Sequence, residues 1–381
     1  MAYIERRLLE QRDRYGRVRT VTRYRVRYRD PSGKPHAETR RRLIDAERRK
    51  AEIEVELADS RWLDPRRGDV PLSLWAAEWV KTRHDLRPST WARLGTSLRS
   101  QVLPKFGDLA ISKITNAAIR VWVMQMLDEG LSPATARKAV FALRQCLGAA
   151  VEDNRIRSNP AVAVPLPSER RKPPRFLSQS EVERLVEEMP GQYEALVLLG
   201  AYAGLRWGEA VGLTRSDVDL LRSRVNVSST AVEVNGTVTL GNEPKTARSR
   251  RSVPVARSVM RRVEHHLERY VATEPDALLF AGPTGGPLFR SFGLRVLKPA
   301  VARAGLGSIT FHGLRHSFVA ILVAAGCNVR EVSEWAGHNS VAFTLTRYGG
   351  LFDDGTERAV DRLDALLGDP QTGSPKDTLD T

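Results

Sequence analysis

The first regular pattern in the chain is an alternation of polar and apolar residues with a period of two. Between Val21 and Arg29 the sequence VTRYRVRYR places tyrosine and valine on one face of a predicted strand. The opposite face carries Arg23, Arg25, Arg27 and Arg29. Residues 30–33 predict a turn, and a helical pattern over 43–58 offers the apolar face a packing partner. Residues 1–65 are therefore predicted to form a three-stranded sheet and one helix, with the arginine face exposed.

A helical period replaces this alternation over residues 71–158. Four helices are predicted, because residue types that cap helix N-termini precede the apolar-periodic segments at Ser73, at Ser89 or Thr90, at Thr115 and at Ser132. We expect a compact bundle with basic residues on its outer faces. Its tryptophans are expected to form the core rather than a ligand site: Trp75, Trp79, Trp91 and Trp122. Residues 159–175 are proline-rich and basic, which predicts an extended connector rather than a packed element.

The third region mixes helices with short strands. Ser178 and Glu181 have the spacing of a capping box. The stretches RVNVSS, AVEV, TVTL and RRSVPV predict strands, with Asn235-Gly236 as a two-residue hairpin turn. We predict an α+β fold in which a small sheet with one helix precedes a helical bundle and a mainly helical domain with a small antiparallel sheet. The predicted boundaries are 1–65 for the first domain, 69–160 for the bundle, 161–175 for the linker, 176–368 for the third domain and 369–381 for a disordered tail.

The net charge of the chain indicates which class of binding partner to expect. The chain has 60 basic and 45 acidic residues and a net charge of +15, which favours a polyanion, either nucleic acid or an acidic membrane surface. A soluble basic protein without such a partner is the alternative. Two distant cysteines form no disulfide framework or metal-spaced cluster. The N-terminus lacks the apolar core of a signal peptide, and no stretch approaches the ~20 apolar residues of a membrane span. We expect a cytoplasmic protein without a membrane partner.

Phosphate chemistry needs a nucleophile, positive charge where negative charge develops, and a proton donor for the leaving oxygen. The third region has no carboxylate pair at useful spacing, no His/Cys ligand cluster and no phosphate-binding glycine loop, so no metal is predicted. Arg206 lies at a glycine-flanked helix junction with Glu209 nearby to orient it. His312 and Arg315 are three residues apart and hence on one helix face. Each of these signals is weak alone.

Five segments of the third region form a specific set through their order and spacing. They are GLRWGE at 204–209, KTARSRRSVP at 245–254, HGLRH at 312–316, AGH at 336–338 and LTRYGG, which contains Tyr348. Together they resemble the motifs of the tyrosine recombinase (phage-type integrase) family. The resemblance covers the whole third region, and the two preceding regions fit the family's domain order. It implies a site-specific DNA recombinase that cleaves and rejoins DNA through a 3′-phosphotyrosine intermediate, with no metal, ATP or other cofactor.

The resemblance also implies six catalytic residues: Arg206, Lys245, His312, Arg315, His338 and Tyr348. The two arginines would bind the nonbridging oxygens of the scissile phosphate. Lys245 would give a proton to the leaving 5′ oxygen, His312 would take the proton of Tyr348, and His338 would hydrogen-bond the phosphate. Tyrosine has an ordinary pKa of ~10, so attack at neutral pH needs a base and nearby positive charge.

Several neighbouring residues have simpler interpretations. His316 is interpreted as a structural helix residue, and Ser249 with Arg251 as a brace for the hairpin or a contact to backbone phosphate. His265 and His266 are interpreted as a solvated helix face. Past Tyr348, an apolar stripe predicts an amphipathic helix, at Val360, Leu363, Leu366 and Leu367. This helix packs on its own domain or docks on a neighbouring subunit. The family resemblance favours docking, and hence a homotetramer on DNA.

The N-terminal sheet distinguishes between subtypes of the family. Arginines in register suit phosphate spacing and a β-sheet fits the DNA major groove, so Arg23, Arg25 and Arg27 are predicted to contact DNA, with a solvated face as the alternative. Such a domain resembles the arm-binding domain of integrases. It implies double-stranded DNA with core-type and arm-type sites, and integration and excision of a phage or mobile element at the nucleoid of a bacterial host. A host DNA-bending protein or a directionality factor would be a further partner.

Two other functions remain as alternatives. A DNA-binding architectural protein with a decayed catalytic fold should have lost some of the six residues, and all six are present. A relaxing topoisomerase of related chemistry would normally need neither the N-terminal sheet nor the C-terminal docking helix.

Overall fold

Two structural units follow one another along the chain. The computed structural model describes residues 2–12, 17–59, 62–168, 175–242 and 250–352, together with 363, 364 and 367. The units are Met1–Arg170 and Arg171–Thr381, so they divide inside the segment predicted as a linker. The predicted α+β fold is confirmed, with a three-stranded sheet first, then helices, then helices with small antiparallel sheets.

The first unit begins with an antiparallel sheet of strand order β1-β2-β3 that packs on one helix. These elements are β1 (Tyr3–Arg12), β2 (Val18–Arg29), β3 (Pro35–Arg40) and α1 (Leu43–Ala58). Val26 and Tyr28 of β2 are buried against Ala46 and Ile53 of α1. The alternation of β2 therefore directs its arginines to the opposite face, as the sequence predicted.

The rest of the first unit is a helical bundle. Its helices are α2 (Leu72–Thr82), α3 (Pro88–Ser97), α4 (Leu103–Phe106), α5 (Asn116–Asp128) and α6 (Pro133–Glu152). The side chains of Thr115 and Ser132 cap α5 and α6, as predicted. The predicted caps of the earlier helices are wrong, because α2 begins directly after Pro71 and α3 begins at Pro88. The fixed φ of proline suits the first turn of a helix.

Two further expectations about the bundle are corrected. Trp91 is 40% exposed, and its indole nitrogen donates to the carbonyl of Val80 over 3.1 Å, whereas the other three tryptophans are buried as predicted. The first part of the predicted connector is packed rather than extended, because Ala161 and Val164 are buried in the bundle core. Arg144 holds this segment by donating to the carbonyl of Ala161 over 3.0 Å.

The second unit surrounds α8, whose residues are apolar on nearly all sides and buried. Its helices are α7 (Gln179–Glu187), α8 (Glu194–Tyr202), α9 (Trp207–Val211), α10 (Arg257–Tyr270), α11 (Lys298–Arg303), α12 (Phe311–Ala324), α13 (Val329–Trp335) and α14 (Val341–Phe352). One antiparallel sheet has the order β4-β5-β8, with β4 (Val218–Asp219), β5 (Arg224–Val227) and β8 (Arg251–Pro254). The predicted hairpin is present as β6 (Thr230–Val234) and β7 (Thr237–Asn242), joined at Asn235-Gly236.

The capping box of Ser178 and Glu181 is also present at the start of α7. The interpretation of His266 as a solvated residue is wrong. It is 3% exposed, and its Nε2 lies 2.8 Å from the carbonyl oxygen of Leu279, because α10 turns this residue toward the core. His265 is exposed as predicted.

Among the described residues, no helix is long and apolar enough to cross a membrane. Of the amphipathic stripe predicted after Tyr348, Leu363 and Leu367 are described and exposed. Val360 and Leu366 lie outside the described residues, as does the predicted tail.

We predict that Gly204→Ala destabilises the second unit more than Gly236→Ala does. Both glycines have positive φ, +61° and +80°, which costs a residue with a Cβ about 1–2 kcal/mol. A Cβ at Gly204 would also overlap the ring of Phe318, whereas one at Gly236 meets nothing within 4 Å. Overpacking adds about 1–3 kcal/mol. Urea unfolding of the full chain measures the difference, and equal losses in the two variants would contradict the packing assignment.

Candidate active site

Three successive backbone carbonyls at the end of α13 each accept a hydrogen bond from a different arginine. The pairs are Arg251 with Trp335, Arg315 with Ala336, and Arg206 with Gly337. The last carbonyls of a helix have no partner within the helix and carry partial negative charge, so guanidinium groups are well suited to bind them. These contacts bring together four segments that are far apart in the sequence, and each of the four carries one of the predicted motifs.

Glu209 binds two of these arginines at once. Its carboxylate accepts hydrogen bonds from Arg206 Nη1 over 2.7 Å and from Arg251 Nη1 and Nη2 over 3.1 and 2.9 Å. Burial alone would raise the pKa of Glu209, but the hydrogen bonds and charge of Arg251 and the charge of Arg206 lower it to about 2. Glu209 is therefore ionised and orients Arg206, as predicted. Arg251, interpreted from the sequence as a hairpin brace or phosphate contact, binds Glu209 and the end of α13.

Arg315 lies beneath this layer on α12. It is 2% exposed and donates from Nη1 to the carbonyl of Gly204 over 2.6 Å. Burial, with the charges of Arg206 and Arg251, lowers the pKa of Arg315 to about 9, so it still carries its charge at neutral pH. The side chain of Arg206 is 37% exposed. The site therefore presents one accessible guanidinium above one buried guanidinium.

Tyr348 lies on α14 with its hydroxyl turned inward. It is 4% exposed, and its Oη lies 2.5 Å from Nδ1 of His316. Its ring stacks on that of His338 with a centroid distance of 5.8 Å and an interplanar angle of 8°. Burial raises the pKa of Tyr348, while the charges of Arg315 and Arg347 oppose this rise.

Three histidines surround the tyrosine and its arginines. Burial lowers the pKa of His312, His316 and His338, and the nearby cations lower it further, to about 3 for His338 and about 4 for His316. All three are therefore neutral at neutral pH. His338 Nδ1 lies 2.8 Å from the Thr344 hydroxyl. The rings of His312 and His316 are in edge contact, with centroids 4.7 Å apart.

Five of the six predicted catalytic residues are described, and all five lie at the α9, α12, α13 and α14 junction. Lys245 lies outside the described residues. The catalytic roles themselves stay predictions. His316 was interpreted as structural, yet within the described part of the chain the hydrogen-bond partner of the Tyr348 hydroxyl is Nδ1 of His316 and not a nitrogen of His312. Its spacing of four residues from His312, which places both on the same helix face, is a signal that could have identified it.

A cleft of about 660 Å³ lies beside this junction. Its lining is mainly basic and polar, and includes Arg224, Arg250, Arg251, Arg330 and His338. The described residues contain no group of three or more histidine, cysteine or acidic side chains that could hold a metal ion. The described cationic side chains that line this cleft are those of Arg224, Arg250, Arg251 and Arg330.

Comparison with known proteins identifies the family. A model described as the phage integrase family matches residues 175–353, and a model described as the phage integrase N-terminal SAM-like domain matches residues 72–127. The chain is 27% identical over 346 residues to the putative prophage phiRv2 integrase of Mycobacterium tuberculosis, covering 88% of this chain and 91% of that protein.

Solved structures share the fold. The Tn1549 transposon integrase in complex with transposon right end DNA aligns with a TM-score of 0.64 at 21% identity, covering 77% of this chain and 99% of that one. A lambda integrase tetramer bound to a Holliday junction aligns with a TM-score of 0.57 at 17% identity, covering 83% and 93%. At these identities the likeness establishes the fold alone.

The fold and the family matches define a site-specific DNA recombinase. The chain belongs to the phage integrase family of tyrosine recombinases, and the resemblance inferred from its motifs is confirmed.

We predict that the buried pair of Glu209 and Arg251 is coupled. Their side chains are 6% and 4% exposed, and removing one partner of a buried pair leaves an uncompensated charge, which costs about 3–5 kcal/mol. Glu209→Gln should lower the free energy of unfolding by this amount, and Arg251→Met by less, because Arg206 still pairs with Glu209 over 2.7 Å. The double variant should lose less than the sum, because neither charge then remains alone. Urea unfolding of all four proteins tests this, and additive losses would show that the pair is not coupled.

Proposed function

We propose that this recombinase integrates and excises the DNA of a phage or mobile element through a 3′-phosphotyrosine intermediate formed by Tyr348. The observation that supports it is the convergence of Arg206, Arg315, His338 and Tyr348 at the end of α13. Two guanidinium groups can stabilise the negative charge that develops when a phosphodiester is attacked without a metal ion, and the buried phenol beside them can supply the attacking oxygen.

The proposed reaction exchanges one ester bond for another. Arg206 and Arg315 bind the nonbridging oxygens, and the phenolic oxygen of Tyr348 attacks the phosphorus. The bond from phosphorus to the 5′ oxygen breaks, and Lys245 gives that oxygen a proton. The phenol proton passes to a histidine of α12, a task that the motif resemblance assigned to His312. Because the phosphotyrosine ester conserves the bond energy, the reverse attack by a 5′ hydroxyl rejoins DNA without ATP.

His338 has a suitable environment for binding the phosphate. If the Thr344 hydroxyl donates to Nδ1, the proton of the neutral ring is on Nε2. That nitrogen can then donate to a phosphate oxygen. The stacked ring of Tyr348 would keep the phenol beside the same phosphate.

The assembly that we propose is a homotetramer on DNA. The prophage, transposon and lambda integrases to which this chain is similar support this proposal, since one of them is a tetramer on a Holliday junction. In this proposal the amphipathic segment after Tyr348 docks on a neighbouring subunit. A host DNA-bending protein and a directionality factor would act with the tetramer, at the nucleoid of a bacterial cell.

We predict that wild-type protein becomes covalently joined to DNA and that Tyr348→Phe does not. The probe is a pool of nicked duplexes with randomised sequence around the nick. Cleavage near the nick releases a short 5′-hydroxyl fragment, so rejoining cannot occur. Adducts that survive denaturing detergent are recovered and sequenced, which also supplies the substrate for later variants. An adduct formed by Tyr348→Phe would contradict the nucleophile assignment, and no adduct from the wild type would contradict the proposed function.

We also propose that the outer face of the N-terminal sheet binds arm-type sites. Arg23, Arg25 and Arg27 point away from α1 on the central strand, and their partners on β1 are Arg7, Glu5 and Tyr3. Glu5 contacts Arg7 over 3.0 Å and Arg27 over 3.6 Å. Glu5 thus orients Arg7 and Arg27. The alternation of β2 places Arg23, Arg25 and Arg27 in one row, which suits a DNA groove.

We predict that Arg23→Gln, Arg25→Gln and Arg27→Gln together weaken DNA binding while core-site cleavage is largely kept. Removal of each phosphate-binding cation should reduce the slope of log affinity against log salt by ~0.9. Mobility shifts over a range of salt measure the slope, and the nicked duplex selected above measures cleavage. The matched control replaces Arg41, Arg42 and Arg48, which are exposed on α1 or next to it. Equal loss of binding and cleavage, or equal effects of the two triple variants, would remove the arm-binding proposal.

A further inference from the structure

Among the described residues, His316 is hydrogen-bonded to the hydroxyl of Tyr348. Its Nδ1 lies 2.5 Å from Tyr348 Oη, and His316 is one helical turn away from His312 on α12. A general base must lie within hydrogen-bond reach of the proton that it removes. His316 meets this geometric requirement in the structure, and the phenol is shielded from bulk water, because Tyr348 is 4% exposed.

The direction of this hydrogen bond follows from the surroundings of the two rings. His316 faces His312 on its own helix, Arg347 of α14 and Arg315, and burial with these neighbours lowers its pKa to about 4. Burial raises the pKa of Tyr348. The resting proton is therefore on the phenol, which donates to an unprotonated Nδ1, and the ring proton of His316 is on Nε2.

We infer that His316 is a catalytic residue that holds the Tyr348 hydroxyl and accepts its proton during attack on DNA. This inference rests on the proposed function and assigns to His316 the task that the motif resemblance implied for His312. As the bond between Tyr348 Oη and phosphorus forms, the phenol proton moves to Nδ1. His316 becomes an imidazolium while the 5′ oxygen leaves with a proton from Lys245. On rejoining, the imidazolium returns its proton to the tyrosine.

Binding of the scissile phosphate would make His316 a better base. The charge of Arg315 is one of the causes that disfavour the imidazolium. A phosphodiester bound by Arg315 and Arg206 brings a negative charge to this point and offsets that effect. Proton transfer would then be favoured only when DNA is in place. His312 packs edge-on against His316, with centroids 4.7 Å apart, and acts as a positioning residue for its ring.

Two variants distinguish the packing of the His316 ring from its function as a proton acceptor. His316→Phe keeps an aromatic ring and removes the acceptor, and His316→Asn keeps a side-chain oxygen near the position of Nδ1. We expect His316→Phe to slow covalent adduct formation on the selected nicked duplex by about 10²–10⁴-fold, the contribution of a general base. His316→Asn should fall between it and the wild type. The matched control, His265→Asn, changes an exposed histidine of the same unit and should react at the wild-type rate.

A second substrate distinguishes nucleophile activation from other defects. In a duplex whose 5′ bridging oxygen is replaced by sulfur, the leaving thiolate needs no proton, so Lys245→Ala should recover. His316→Phe should stay slow, since the phenol proton must still be removed. Recovery of His316→Phe on the sulfur substrate would overturn the inference, as would wild-type or faster cleavage of the ordinary duplex.

Folding and the proposed function are tested separately. If His316→Phe unfolds at a lower temperature than the wild type, His316→Asn carries the comparison, and a wild-type rate in that variant overturns the inference. A wild type that forms no adduct contradicts the proposed function itself. An adduct from wild type together with unimpaired His316 variants contradicts only the role of His316.

Discussion

The three guanidinium groups bound to the end of α13 are the constraint on which the rest of the site depends. Arg206, Arg251 and Arg315 are held within one small region by adjacent carbonyls, and the carboxylate of Glu209 binds two of them. Three arginines and one carboxylate leave an excess of positive charge, and Arg251 and Arg315 are buried. Buried charge of one sign is destabilising unless an anion neutralises it. A phosphodiester is an anion of suitable size and geometry, and arginine binds it through paired hydrogen bonds. In the proposed function, this charge imbalance would destabilise the free protein and contribute to its affinity for DNA.

The same charges control the proton chemistry around them. Burial lowers the pKa of His316 and His338, and the charge of Arg315 lowers both further. The same charge opposes the burial that raises the pKa of Tyr348. The histidines consequently stay neutral and can accept or share protons, while the phenol stays protonated and hidden from water. In the role that we propose for Tyr348, the phenol would react only when a phosphate changes the local field. The protonation states of the histidines therefore depend on where the arginines are held.

Much of the fold could be predicted from local patterns. The alternation in β2, the hairpin at Asn235-Gly236 and the caps at Thr115 and Ser132 all reflect preferences of residues for their own backbone geometry. Wrong expectations arose where a distant partner decided the outcome. Ala161 and Val164 are buried because they pack against the apolar surface of the helical bundle. No periodic pattern in their own segment indicates this packing. His266 is buried because α10 presents it to the core rather than to solvent.

The sequence by itself determined the family, the order of the motifs and the residue types that the chemistry requires. Arg206, Arg315, His338 and Tyr348 were identified from linear order, which is sufficient for membership of a family. Tertiary structure alone decided which side chains touch: Arg251 binds Glu209 and the end of α13, and His316 binds Tyr348. The physical reason is that these hydrogen bonds join residues far apart in the sequence. His316 and Tyr348 are 32 positions apart, and Arg206 and Gly337 are 131 positions apart. Such contacts follow from the packing of whole helices, which no local pattern encodes.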